Sequence, residues 1–246
     1  MPRSDSELSS LPAAASRQLA REVFTDGRYP AVFQPDDPTS AFHSLYAAKR
    51  DDVLRIVEGA PGERVLDLGG GRGRLAVPLA ASRRVTLADI SPEMLDQAAS
   101  AAAGAGVPSG ALTLVELDAS RPLPFARASF DIALAIDLLV HLPDPEATLR
   151  EVRRVLSEGG LVLVDTTNRH PQWMLRYPRY VGPHPRTWIR TWRAGGVLPE
   201  WRGIVTHHSR RELHWMVAAA GFRISAEHTY GPPLAPKWVM VEGEAV

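Results

Sequence analysis

The segment VLDLGGGRGRLAVPLA carries the residues whose types and spacing say most about chemistry. Gly69, Gly71 and Gly73 follow an apolar run that ends at Leu68 and precede a run with helical texture, so they occupy a strand-to-helix turn. Glycine there permits φ > 0 and lets a ligand approach the backbone closely. A tight βα turn would by itself account for a glycine cluster, but two carboxylates accompany this one. Asp67 stands just before the glycines, and Asp89 ends the next apolar run, where a carboxylate can accept bonds from two ribose hydroxyls. The spacing argues against a dinucleotide fingerprint, because G-x-G-x-x-G counted from Gly69 puts its third glycine at Arg74. The pattern present is D-x-G-x-G-x-G.

The elements that must position these residues alternate. Residues 64–68, 85–90, 112–117, 130–136 and 161–164 are short apolar or β-branched runs that read as buried strands. Ser91-Pro92 supplies an N-cap and a first-turn proline for a helix over 93–102, and Asp144-Pro145 does the same for one over 146–157 that Gly159 ends. Leu149, Val152 and Leu156 give the second of these one apolar stripe. Pro78 falls near the first turn of the helix after the glycines, where a missing donor costs little. An amphipathic helix is expected over 44–57, a helix capped by Ser209 and Glu212 is stopped by Gly221, and 222–230 and 238–242 are closing strands. This alternation predicts a doubly wound α/β fold with a mostly parallel sheet. Residues 1–45 read as an N-terminal arm or lid, 46–246 as one domain, and 168–208 as an irregular insertion after the fifth strand.

The glycine turn resembles the first motif of the class I S-adenosylmethionine-dependent methyltransferases, and the likeness runs from about Tyr46 to Gly221. It extends to FDIALAIDLLVHLPDPEATLREVRRVLSEGGLVLVDTTN, with its H-x-x-D-P stretch at His141 to Pro145, and to HHSRRELHWMVAAAGF. The resemblance implies a Rossmann-like seven-stranded sheet whose last strand is antiparallel, and S-adenosylmethionine as methyl donor. It implies that Asp67, Gly69, Gly71 and Gly73 cradle the donor and that Asp89 binds its ribose. Ile90 and Met94 would flank the adenine, Asp118 would read its amino group with Ala119 beside it, and Ile136 and Asp137 would border the donor at the end of the fourth strand. Tyr46 and Arg50 stand where related enzymes contact the donor's carboxylate, a role that arginine suits. A surface pair on an amphipathic helix is the other reading of those two.

Composition removes whole subclasses. The chain has 246 residues, 28 basic and 28 acidic, and no cysteine. Without cysteine there is no thiolate zinc site, no iron–sulfur cluster, no radical enzyme of cysteine-triad type and no cytosine-C5 chemistry through a cysteine nucleophile. Asp137-Leu138-Leu139-Val140 lacks the Pro-Pro-aromatic signature of amino methyltransferases of DNA and protein. Zero net charge argues against bulk binding to nucleic acid or anionic membrane. No apolar run approaches a membrane span and MPRSDSELSS has no export core, so a cytoplasmic protein is expected. Lys49 and Lys237 are the only lysines, a bias read as nucleotide composition and given no role.

A small-molecule acceptor is therefore expected. The alternatives are RNA, or a protein that keeps the fold and the donor without transferring a methyl group. From Asn168 to Arg211 nine arginines face one acid, Glu200, so that stretch carries +8 and the rest −8. Trp173, Trp188, Trp192 and His207 in it are the expected acceptor contacts, with a solvated basic cap as the bland alternative. His141, after the fourth strand, is the candidate general base. Asp137, Asp165 and Asn168 stand roughly where magnesium-dependent methyltransferases keep three oxygen ligands, but two threonines separate the last two, and no metal is expected.

Overall fold

The apolar runs form strands because their side chains are buried on both faces of one sheet, except at 112–116, expected to be buried but at the sheet edge, where no residue is fully buried. The computed structural model describes residues 42–169 and 207–246. Its strands are β1 (Arg64–Leu68), β2 (Arg84–Asp89), β3 (Leu112–Glu116), β4 (Phe130–Ala135), β5 (Leu156–Thr167), β6 (Phe222–Tyr230) and β7 (Trp238–Ala245). They lie in the order β3-β2-β1-β4-β5-β7-β6. The first five are parallel, and β7 runs antiparallel to both of its neighbours. The chain winds outward from β1 to β3 and then returns to β4 beside β1. That reversal opens a crevice at the carboxyl ends of β1 and β4, the place where such sheets bind ligands.

Among the described residues five helices cover the sheet: α1 (His43–Gly59), α2 (Ala76–Leu79), α3 (Pro92–Gly104), α4 (Pro145–Val155) and α5 (Arg210–Ala219). Leu149, Val152 and Val155 of α4 and Leu213, Met216 and Val217 of α5 pack with Leu66, Leu68, Val162 and Val164. Val53 and Val57 of α1, Leu79 of α2 and Leu95 and Ala98 of α3 pack with Val65, Leu87, Ile132 and Leu163. Each such leucine, fully withdrawn from water, contributes about 2 kcal/mol. The starts of α3, α4 and α5 are fixed by the expected caps. Ser91 Oγ accepts from Met94 N–H at 3.2 Å, Asp144 Oδ1 accepts from Ala147 N–H at 2.9 Å, and Ser209 and Glu212 cap each other's backbone.

The boundaries depart from expectation where glycine decides. The helix after the glycine turn shrinks to α2, because Gly73 (φ +82°) and its bond to the Gly70 carbonyl keep the preceding residues in turns. The helix expected over 146–157 ends at Val155, and Leu156 already pairs with Phe130 in β5. Gly159 (φ +72°) and Gly160 then make a bulge that moves the pairing to Ile132 and Leu161. A Cβ on Gly160 would lie 2.8 Å from the Ser157 carbonyl and 2.9 Å from that of Asp131, so only glycine closes it. Most of the expected arm, residues 1–41, lies outside the described residues, as does most of the insertion. Phe42, at the arm's end, is buried edge-on against Trp238 at 5.6 Å and belongs to the core. No helix among the described residues is long and apolar enough to cross a membrane.

Candidate functional site

At the crevice the glycine turn folds back onto β2. Gly69 N–H donates to the Ala88 carbonyl at 2.7 Å, and Gly71 N–H donates to Asp89 Oδ2 at 2.9 Å. Gly69 and Gly71 hold φ of +73° and +54°, a region that glycine enters without strain. A Cβ on Gly71 would meet nothing within 4 Å, so this side of the turn faces open space. The other Asp89 oxygen accepts from Ser91 N–H at 2.9 Å, and burial raises the pKa of this carboxyl while those amides oppose the shift. Ile90 and Met94 are half-buried just beyond it. Leu117 N–H donates to the Asp89 carbonyl, which brings the following loop alongside. In that loop Asp118 Oδ1 accepts from the Ser120 amide and hydroxyl, and the Ala119 carbonyl accepts from Thr148 Oγ1.

Two buried polar atoms next to the glycine turn have no hydrogen-bond partner among the described residues: Asp67 Oδ2 and Arg74 Nη1. Burial pushes the Asp67 carboxyl up to about 7, against the pull of Arg74. Its Oδ2 lies 2.6 Å from where a Cβ on Gly70 would be, so the middle glycine is required as well. An orphaned acceptor and an orphaned donor flanking one turn suit a ligand with an ammonium and a carboxylate. The Asp89 carboxylate on the adjoining strand suits a ribose.

The β4 end supplies a second charged cluster. Ile136 is buried, and Asp137 adopts φ +57°, which costs a non-glycine residue of order 1 kcal/mol. It is held there by its own N–H, which donates to Asp165 Oδ1 at 2.6 Å. Lys49 Nζ, from α1, lies 2.5 Å from both Asp137 Oδ1 and Asp165 Oδ2, and Arg74 Nη2 reaches Asp137 Oδ2 at 3.0 Å. Burial works against ionisation of Asp137, but Lys49 and Arg74 outweigh it and hold its pKa low. For Asp165, buried more completely beside a second carboxylate, burial wins and the pKa rises. The Lys49 ammonium and the Arg74 guanidinium also stand over the Tyr46 ring, at 5.4 and 5.7 Å from its centroid.

Lys49 was given no role by composition, and the structure corrects that. The available signal was position: Tyr46, Lys49, Val53 and Val57 form the buried stripe of α1. Arg50, one residue on, projects from a different side of the helix and donates to Asp51 Oδ1 at 3.1 and 2.9 Å, with its side chain 42% exposed. Tyr46 thus packs against Lys49 and Arg74, whereas Arg50 pairs with Asp51. Lys237 is also buried, its ammonium over the Phe42 and Trp238 rings. Asp137, Asp165 and Asn168 do not converge on one point, because the two carboxylates turn to Lys49 and the Asn168 amide donates to the Pro236 carbonyl at 3.0 Å.

His141 ends a 3-10 turn (Leu139–His141) after Asp137, near enough for its charge to act on that carboxylate. His207 is half-buried where the insertion returns. Asn168 and His208 form a β-bridge there, and Arg169 N–H donates to the His208 carbonyl at 2.9 Å, so both ends of the insertion meet beyond the carboxyl end of β5. Trp173, Trp188 and Trp192 lie outside the described residues.

Known proteins share this fold. The family described as "Methyltransferase domain" matches residues 66–164, from β1 to β5. The chain is 29% identical over 212 residues to a ubiquinone biosynthesis O-methyltransferase of Xanthomonas campestris pv. campestris, a match covering 75% of this chain and 86% of that protein. Among solved structures, it resembles the magnesium protoporphyrin IX methyltransferase of Synechocystis PCC 6803 with bound SAH (TM-score 0.69, 18% identity, covering 94% of this chain and all of that one). It likewise resembles the [4+2]-cyclase SpnF (TM-score 0.67, 19% identity, covering 94% and 96%). The strand order, the glycine turn with its two carboxylates, and these similarities agree: residues 66–164 belong to the methyltransferase domain family, and the chain is similar to the class I S-adenosylmethionine-dependent methyltransferases.

Proposed function

We propose that this protein methylates a hydroxyl group of a small aromatic or carboxylated molecule. The observation that carries the reading is the set of groups around the glycine turn. Asp89 would take the ribose hydroxyls of S-adenosylmethionine, Asp67 Oδ2 its ammonium and Arg74 Nη1 its carboxylate, each matching a polar atom at the crevice. Gly69, Gly71 and Gly73 give the ligand access to the backbone, Ile90 and Met94 flank the adenine, and Asp118 with Ala119 borders its edge. Tyr46, Ile136 and Asp137 close the side toward β4. The bound donor supplies a methyl group activated on a sulfonium for in-line displacement. The protein's own work is then to orient, to exclude water and to remove one proton. His141, beside Asp137, takes the acceptor's hydroxyl proton as the carbon–oxygen bond forms.

The hydroxyl is favoured because the sequence relatives are named O-methyltransferases. The insertion selects the acceptor: both its ends are tied at the carboxyl edge of β5, and it carries His207, Trp173, Trp188, Trp192 and an excess of arginine for aromatic and anionic groups. The test is transfer of labelled methyl from S-adenosylmethionine into a small-metabolite extract and, separately, into total RNA. Label in an extracted metabolite supports the proposal. Label in RNA alone, or in neither pool while the donor binds, overturns it.

A further inference from the structure

The Lys49–Asp137–Asp165 cluster contains no group that the proposed reaction consumes, yet its geometry is restrictive. Lys49 and Asp165 are wholly buried, and one ammonium lies 2.5 Å from two carboxylates that belong to different strands. Burying the Lys49 and Asp165 charges without a role is costly, and a pair of this kind adds little net stability over apolar packing. Four segments meet here: α1 through Lys49, the glycine turn through Arg74, β4 through Asp137 and β5 through Asp165. Arg74 is the member that directly follows the glycine turn. One of its nitrogens is committed to Asp137, while Nη1 is buried without a partner among the described residues. The cluster holds two cations and two carboxylates. Removing Lys49 leaves the two carboxylates to Arg74 alone and draws the guanidinium inward.

We propose that Lys49 is a positioning residue for the methyl donor: its ammonium bridges Asp137 and Asp165, so that Arg74 keeps Nη1 for the carboxylate at the donor's amino-acid end. This rests on the donor placement proposed above. It assigns Lys49 no contact with the donor. Its effect is specific to one chemical group of the ligand, and a residue that merely holds the fold together would weaken all ligands alike.

Calorimetric titration with two unreactive ligands separates the two roles. S-Adenosylhomocysteine has the ammonium and the carboxylate, and S-adenosyl-3-thiopropylamine has the ammonium only. Their Kd ratio reads the carboxylate's contribution. A charge-assisted bond of this kind gives a ratio of about tenfold or more in the wild type. Arg74→Gln brings the ratio close to one. Lys49→Met does the same while leaving thiopropylamine affinity within about threefold. The double variant Lys49→Met/Asp165→Asn, which restores the balance of one cation to one carboxylate, recovers the wild-type ratio. If Lys49→Met lacks a cooperative melt, the double variant decides: a recovered ratio supports the proposal, and a lost ratio in a folded double variant overturns it. A wild-type ratio in folded Lys49→Met also overturns it, even where Arg74→Gln collapses the ratio and the donor placement stands. A wild-type protein that binds neither ligand removes the donor placement itself.

Discussion

Asp67 makes the folded protein pH-sensitive in a direction opposite to most carboxylates. Its side chain is buried, Oδ2 is unpartnered among the described residues, and burial pushes its pKa from 3.8 up to about 7 despite Arg74 and the Ala76 amide, with Asp89 adding to the rise. The unfolded chain therefore loses this proton near pH 4 and the folded chain keeps it until about 7. Across that window the folded state binds more protons, so stability falls as pH rises, and the loss is complete above about pH 7. Three pH units at 1.36 kcal/mol each give an upper value of about 4 kcal/mol. For a domain of this size that is a melting shift of about 8 to 16 °C. Asn at position 67 imitates the protonated acid in shape and carries no charge. Relative to the wild type, Asp67→Asn should gain stability between pH 4.5 and pH 8, by up to about 3 kcal/mol. Urea unfolding of both proteins from pH 4.5 to 8.5 measures the difference, and the contribution of other groups, Asp165 included, cancels between them. Parallel stability curves for the two proteins would refute the reasoning. The same variant should bind S-adenosylhomocysteine at least tenfold more weakly, because the negative charge facing its ammonium is gone.

Three further outcomes follow from the geometry. Gly71→Val places its side chain in open space at φ +54°, so it should cost only about 1–2 kcal/mol in unfolding experiments yet abolish donor binding in titration. His141→Ala should reduce kcat by about a hundredfold or more and leave the donor's Kd within about threefold, with stopped-flow or steady-state methyl transfer as the readout. Leu149→Ala, at a fully buried position between α4 and the sheet, should cost about 2–5 kcal/mol in denaturant unfolding without changing donor affinity per folded molecule.

Local signals carried much of this molecule. The proline-marked caps at Ser91 and Asp144 and the capping box at Ser209 each act within a few residues, and each formed as read. Signals that act across the sheet were not legible. Asp137 and Asp165 invite the reading of oxygen ligands to an external cation, because nothing local to either announces that Lys49, 88 and 116 residues away along the chain, places its own ammonium between them. Arg74 sits one residue past the glycine motif, and its orphaned nitrogen exists only because Asp137 takes the other. Arg50 against Lys49 turned on a single step around α1. A lysine in phase with Tyr46, Val53 and Val57 outweighed an arginine out of phase with them. The helix end at Val155 was missed because the Gly159-Gly160 bulge draws Leu156 into the sheet, a pairing made with Phe130 and invisible in the helix's own stripe.

The most direct test of the account is calorimetric titration of the full chain with S-adenosylmethionine, set beside Asp89→Ala. Asp89 reaches the glycine turn through Gly71 N–H, and the proposed ribose contact through the same carboxylate. The account predicts one saturable site per chain for the wild type and at least a tenfold loss of affinity in a variant that still melts cooperatively. Absence of binding to the wild type, or equal affinity in a folded Asp89→Ala, would contradict it.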